Sequence, residues 1–230
     1  MTMKSPFRRP RASTLAAAAA TLTLTTAAQA VVVYSGPVNL AVPNTTAGLY
    51  LNVLNGTSFT GPGTFPTSPG PGANFDFNIF GTTAWTLFSP TTSGQSNAGP
   101  TTSRGYVSAS ATGAALNLAS GTLIDGSSVF NTGSPGAAAL STGAPALFGF
   151  RFRNEGSDLA STADDTVHFG WARVILTPGT PGTLVDYAFE STPLTGIAAG
   201  VTTVVPEPAA WLLMGLGVAG LLVRKRYSAG

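Results

Sequence analysis

In the middle of this chain apolar residues alternate with polar ones, whereas near both ends they run together without interruption. Phe75, Phe77 and Ile79 alternate with Asp76 and Asn78, and Phe148, Phe150 and Phe152 alternate with Gly149, Arg151 and Arg153. That period of two predicts half-buried strands, the second with a polar outer face. Residues 166–177 (TVHFGWARVILT) are rich in β-branched and aromatic residues. The Pro-Gly repeats of 177–183 follow as a turn, and 184–190 (LVDYAFE) reads as the returning strand of a hairpin, with Val185, Tyr187 and Phe189 on one face. Residues 60–72 hold four Pro and four Gly and predict a loop, as do residues 95–103. The Ala-rich stretch 109–123 leaves two readings open: a helix, or two short strands about a turn at Ala119-Ser120-Gly121. There is no repeat at a solenoid period. Many short strands between Gly/Pro-rich turns predict an all-β fold, an antiparallel β-sandwich of jelly-roll-like type over residues 31–203.

The two ends are built for a membrane. Lys4, Arg8, Arg9 and Arg11 open the chain, and Leu15–Ala28 is an uncharged run dominated by Ala, Leu and Thr. Ala28-Gln29-Ala30 is a small-x-small site. This order predicts a signal peptide over residues 1–30, passed through the export machinery and cut after Ala30 by signal peptidase.

At the other end stand Val205-Pro206-Glu207-Pro208, then the apolar run Ala209–Val223 (AAWLLMGLGVAGLLV), then Arg224-Lys225-Arg226. As a helix, 15 residues span roughly 22 Å, less than the hydrocarbon core of about 30 Å. Such a short transmembrane helix must thin the bilayer or lean on its flanks. Trp211 and the basic triplet suit the two interfaces, and the triplet belongs on the cytoplasmic side. Residues 31–203 then lie outside, in agreement with the leader. Each proline lacks a backbone donor and pushes the preceding residue out of the α region. Pro206–Pro208 is therefore expected to be extended just outside the membrane, open to a processing enzyme.

Charge changes the picture of the middle. The whole chain carries a formal +2, but residues 31–205 hold four arginines against eight acids, a formal −4. A nucleic-acid partner needs a clustered basic face, which this region does not offer. The chain has no cysteine, which excludes disulfides and thiolate chemistry, and no lysine between Lys4 and Lys225. Recurrent aromatic residues argue for a folded domain over a disordered one.

Pro206-Glu207-Pro208, the short apolar run and the Arg224-Lys225-Arg226 stop, in that order, resemble the PEP-CTERM sorting signal. The resemblance implies recognition by an exosortase, a membrane-embedded transpeptidase related to cysteine proteases, with cleavage near Pro206–Pro208. It implies transient anchoring in the inner membrane, then release or transfer to the cell surface of a bacterium that makes exopolysaccharide and biofilm. The stretch 148–200 also resembles ectodomains that precede such tails, through Gly149-Phe150-Arg151-Phe152, His168-Phe169-Gly170-Trp171 and Asp186-Tyr187-Ala188-Phe189-Glu190. Those relatives more usually read His-Tyr-Gly-Trp, so Phe169 is a departure.

Candidate chemistry within residues 31–203 is sparse. His168 is the one histidine, mid-strand among aromatics and without a nucleophile-elbow pattern, which favours a structural role over a triad. Asp186 and Glu190 share a strand face by their even spacing and suggest either a glycosidase pair or ion pairs, Glu190 with Arg151 or Arg173. Asp158, Asp164 and Asp165 lie in an acidic loop whose oxygens suit Ca²⁺, without the EF-hand spacing. Trp171 and Tyr187, with Trp85 and Tyr106, suggest either a sugar-stacking platform or core. No other cofactor is implied. The expectation is an exported, non-enzymatic surface or matrix protein associated with exopolysaccharide; the alternatives are a carbohydrate-binding module and a secreted glycoside hydrolase.

Overall fold

A computed structural model describes residues 31–60, 75–89, 104–154 and 163–203. The predicted signal peptide, most of the Gly/Pro-rich loop, the 95–103 loop, Asp158 and the sorting segment 204–230 lie outside the described residues. In chain order the strands are β1 (Val32–Tyr34), β2 (Leu40–Val42), β3 (Leu49–Leu51), β4 (Ser58–Phe59), β5 (Phe77–Phe80), β6 (Thr86–Phe88), β7 (Gly105–Val107), β8 (Leu123–Ile124), β9 (Phe130–Asn131), β10 (Pro145–Asn154), β11 (Thr166–Ile175), β12 (Gly182–Glu190) and β13 (Ile197–Ala198).

The predicted all-β class holds: every pairing among the described strands is antiparallel. β10, β11 and β12 form a consecutive meander at the centre of a seven-stranded sheet, flanked on one side by β1 and β2 and on the other by β7 and β9. That sequential order is a meander and differs from the crossing order of a jelly roll. A four-stranded sheet, β4-β3-β5-β6, and the small pair β13-β8 complete the described structure.

The predicted hairpin forms as expected. Its turn works because Pro178 sets φ for the second position and Gly179, at φ +75°, takes the third, while Thr180 N–H donates to the Thr177 carbonyl at 3.3 Å. The returning strand differs in one respect. Arg173 faces Asp186 but Val174 faces Leu184, so Val185 is an extra residue in a β-bulge. Leu184 therefore joins Tyr187 and Phe189 in the core in place of Val185. The freed Val185 carbonyl accepts from Val38 and Asn39 at 2.8 and 3.1 Å, tying down the link between β1 and β2.

The Ala-rich stretch 109–123 forms no helix, and the described residues contain no α-helix at all. Its predicted turn is present: Thr122 N–H donates to the Ala119 carbonyl at 3.1 Å, with Gly121 at φ +85°. Only its last residue enters a strand, in β8.

Phe148, Phe150 and Phe152 face the four-stranded sheet as their alternation predicts, with Phe77 5.6 Å from Phe148 and 5.2 Å from Phe150. The opposite face was expected to be polar and solvated. Instead Leu147, Phe169, Trp171 and Ala188 pack there against Leu118, Ile124, Ile197 and Ala199. The large sheet is thus covered on both sides.

Two glycines make that possible. A Cβ on Gly149 would lie 2.7 Å from Val107 Cγ2 and 2.9 Å from Ile124 Cδ1. One on Gly170 would lie 2.5 Å from Phe150 Cζ and 2.8 Å from the Ala188 carbonyl oxygen. Because the second obstacle is backbone, Gly170→Ala is expected to destabilise the domain by about 1–3 kcal/mol, read as a lowered urea midpoint at unchanged slope.

Candidate functional site

Residues 204–226 and the titratable side chains of the β domain are the two places where this chain carries chemistry. In the β domain, β11 and β12 carry His168, Arg173, Asp186, Tyr187 and Glu190. Trp171 is fully buried, its indole N–H donating to the Val201 carbonyl at 3.0 Å, and Tyr34 of β1 stacks on it with ring centres 6.2 Å apart. The Tyr34 hydroxyl donates to Asp186 Oδ2 at 2.9 Å, and the Arg173 guanidinium lies 3.5 Å from that same oxygen. Asp186 is 3 % exposed, and its Oδ1 has no hydrogen-bond partner among the described residues.

This packing disposes of the sugar-stacking platform. Stacking on a sugar needs an open ring face. Trp171 is 0 % and Tyr187 5 % exposed, and Trp85 and Tyr106 are buried as well. All four rings belong to the core. Phe169, where a tyrosine was the commoner expectation, is also buried and stacks on Phe130 at 6.0 Å.

His168 is buried between Phe152 and Phe189. Its Nδ1 lies 2.8 Å from the Glu190 carbonyl oxygen and its Nε2 2.8 Å from the Thr166 hydroxyl. A carbonyl can only accept, so Nδ1 carries a proton, and both ring nitrogens are engaged. The ring cross-links β11 to the end of β12.

Asp186 and Glu190 follow the bulge and keep their even spacing, but each is consumed separately. Arg173 pairs with Asp186 and not with Glu190, and the Arg151 guanidinium lies 4.3 Å over the Phe130 ring. Glu190, 1 % exposed, accepts through Oε1 from the Val31 and Thr192 backbone N–H groups at 2.7 and 2.8 Å. A glycosidase pair must flank a sugar in a shared cleft, and these two face into packed structure. In the acidic loop, Asp165 pairs with Arg153 at 3.3 Å. Asp158 is outside the described residues, among which no three acids or histidines converge as a metal site.

Burial also holds the phenols of Tyr34, Tyr50, Tyr106 and Tyr187 above the usual tyrosine value of 10.0, with the Asp186 carboxylate adding to the effect at Tyr34. The sign follows directly. Above pH 10 the unfolded chain has lost phenolic protons that the folded chain keeps, so stability present below about pH 10 falls as pH rises through the folded values. In an alkaline titration, tyrosinate absorbance should rise late and together with loss of β-sheet circular dichroism. A smooth rise centred on pH 10 in the folded protein would contradict the burial.

Sequence reasoning missed the Tyr34–Asp186 and Val31–Glu190 contacts, which join residues 152 and 159 positions apart. No local pattern signals either.

Among the described residues no helix is long and apolar enough to cross a membrane, and Ala209–Val223 lies outside them. Residues 204–226 match the family model described as the PEP-CTERM protein-sorting motif. Neither a curated protein nor a solved structure matches the chain. An all-β domain followed by a sorting signal defines the class: an exported protein addressed by its C-terminal tail. The chain carries the PEP-CTERM motif, with Pro206-Glu207-Pro208 and Arg224-Lys225-Arg226 inside the match, and this marks it for processing by an exosortase and for the cell surface.

Proposed function

We propose that this chain is a non-enzymatic surface or matrix protein whose β domain, residues 31–203, is delivered outside the cell and resides in exopolysaccharide or biofilm. On this reading residues 1–30 are a leader cut at Ala28–Ala30. Residues 204–230 hold the protein briefly in the inner membrane, through Ala209–Val223 and the Arg224-Lys225-Arg226 stop, until an exosortase cuts near Pro206–Pro208. Two stacked sheets in a sandwich-like arrangement form the delivered module.

The sorting-motif match over 204–226 carries the proposal. Two further observations support the non-enzymatic part. His168 has both ring nitrogens bonded, and Asp186 and Glu190 are each buried against separate partners. The formal −4 of residues 31–205, made of few charges on a Ser/Thr/Gly-rich chain, suits residence in a hydrated polymer.

Fractionation of cells that make exopolysaccharide, beside a polysaccharide-deficient strain, tests this. The expected result is recovery of the β domain with the polymer in the first and free in the medium in the second. Equal release from both strains would sink the matrix assignment.

A further inference from the structure

Glu190 is almost completely buried, yet the hydrogen bonds its carboxylate accepts come from backbone N–H groups: Val31 at 2.7 Å and Thr192 at 2.8 Å, both to Oε1. Val31 is held firmly in place. Its carbonyl accepts from Ser191 N–H at 2.9 Å, and the next residue, Val32, pairs in register with Glu190. A buried carboxylate facing neutral amides is poorly compensated; it calls for a cation. The residue supplying the shorter bond is the one that follows the predicted cleavage site.

We infer that Glu190 is the docking site for the new amino terminus created by leader removal, and that the cut locks edge strand β1 onto β12. Hydrolysis of the Ala30–Val31 bond uses one water. The hydroxyl goes to the Ala30 carbonyl carbon, giving a carboxylate on the departing leader, and protons go to the Val31 nitrogen. That nitrogen, a neutral peptide N–H before the cut, becomes an ammonium beside the same oxygen. The bond changes from neutral donor to charge-assisted donor, the short and strong kind. Before the cut, β1 is an edge strand of three residues held by ordinary ladder bonds; afterwards Val31, the residue just before it, is also pinned by charge. The inference rests on Ala30 as the cleavage site.

The sequence offers a selective probe. Between Lys4 and Lys225 there is no lysine, so once both ends are trimmed the Val31 ammonium is the chain's one primary amine. Val31 itself is 45 % exposed, so a reagent can reach it and protection reports pairing with Glu190.

The exported protein is purified, its amino-terminal sequence determined, and its acetylation by an N-hydroxysuccinimide ester followed by mass, folded and in urea. The expected sequence starts at Val31. Acetylation of the folded form should be slower by about tenfold or more, the factor that 1.4 kcal/mol of pairing provides. Glu190→Gln should remove that protection. Should Glu190→Gln fail to fold, a glycine inserted between Ala30 and Val31 moves the amine off Glu190 and should also restore fast reaction while circular dichroism stays β-sheet. A Val31 start with equal rates, folded and unfolded, overturns the inference and leaves the processing intact. A start elsewhere overturns the cleavage site, and the inference falls with it.

Discussion

Replacing Pro206, Glu207 and Pro208 together with alanine is expected to convert a processed protein into a permanently anchored one. The physical reason is length. The apolar run Ala209–Val223 has 15 residues; on the proposed reading it spans the membrane as a helix of roughly 22 Å that the two prolines keep from growing toward the domain. Alanine is the best helix former. With three alanines the helix gains residues 206–208, making 18 residues and about 27 Å, close to the hydrocarbon thickness of about 30 Å. The segment that the exosortase must reach is then helical and drawn into the bilayer. Immunoblots of fractionated cells should move the protein from the outside pool to the inner membrane, at the mass of the uncut tail. Undiminished export of this variant would show that the tripeptide is a passive linker.

The second large effect is on stability. Phe150→Ala should destabilise the domain by about 3–5 kcal/mol, the range for removing a fully packed aromatic. Phe150 is 1 % exposed and touches Phe77 of the facing sheet, Phe148 and Phe152 along its own strand, and the space kept open by Gly170. Its loss leaves a cavity at the junction between the two sheets. For a domain of this size such a loss lowers Tm by about 6–20 °C. Calorimetry of the wild type and variant, both with intact termini, checks it. A shift within about 0.5 kcal/mol, as for a surface change, would mean that the sheets do not meet at Phe150.

What the sequence reveals and hides here follows the range of the interactions. The sorting tail is legible because prolines, apolar run and basic stop act within a single continuous stretch. The long strands β10, β11 and β12 are legible because local alternation, β-branched residues and a Pro-Gly turn agree with one another. The bulge at Val185 is not, because it depends on where the link between β1 and β2 needs a carbonyl. Alternation at Gly149, Arg151 and Arg153 suggests a wet outer face, but it cannot foresee that Leu118, Ile124 and Ile197 return to cover that side. β8 and β13, two residues each, are too short to carry any period. The aromatic residues were open to two readings, platform or core, because stacking chemistry and burial draw on the same side chains. Only the packing of Trp171 and Tyr187 separates them.

The C-terminal peptide of the protein recovered from outside the cell tests most directly whether the tail is a sorting signal removed on the way out. Mass spectrometry should find a terminus within or just before Pro206–Pro208 and nothing from Trp211 onward. Recovery of extracellular protein that still carries Ala209–Val223 and Arg224-Lys225-Arg226 would contradict it.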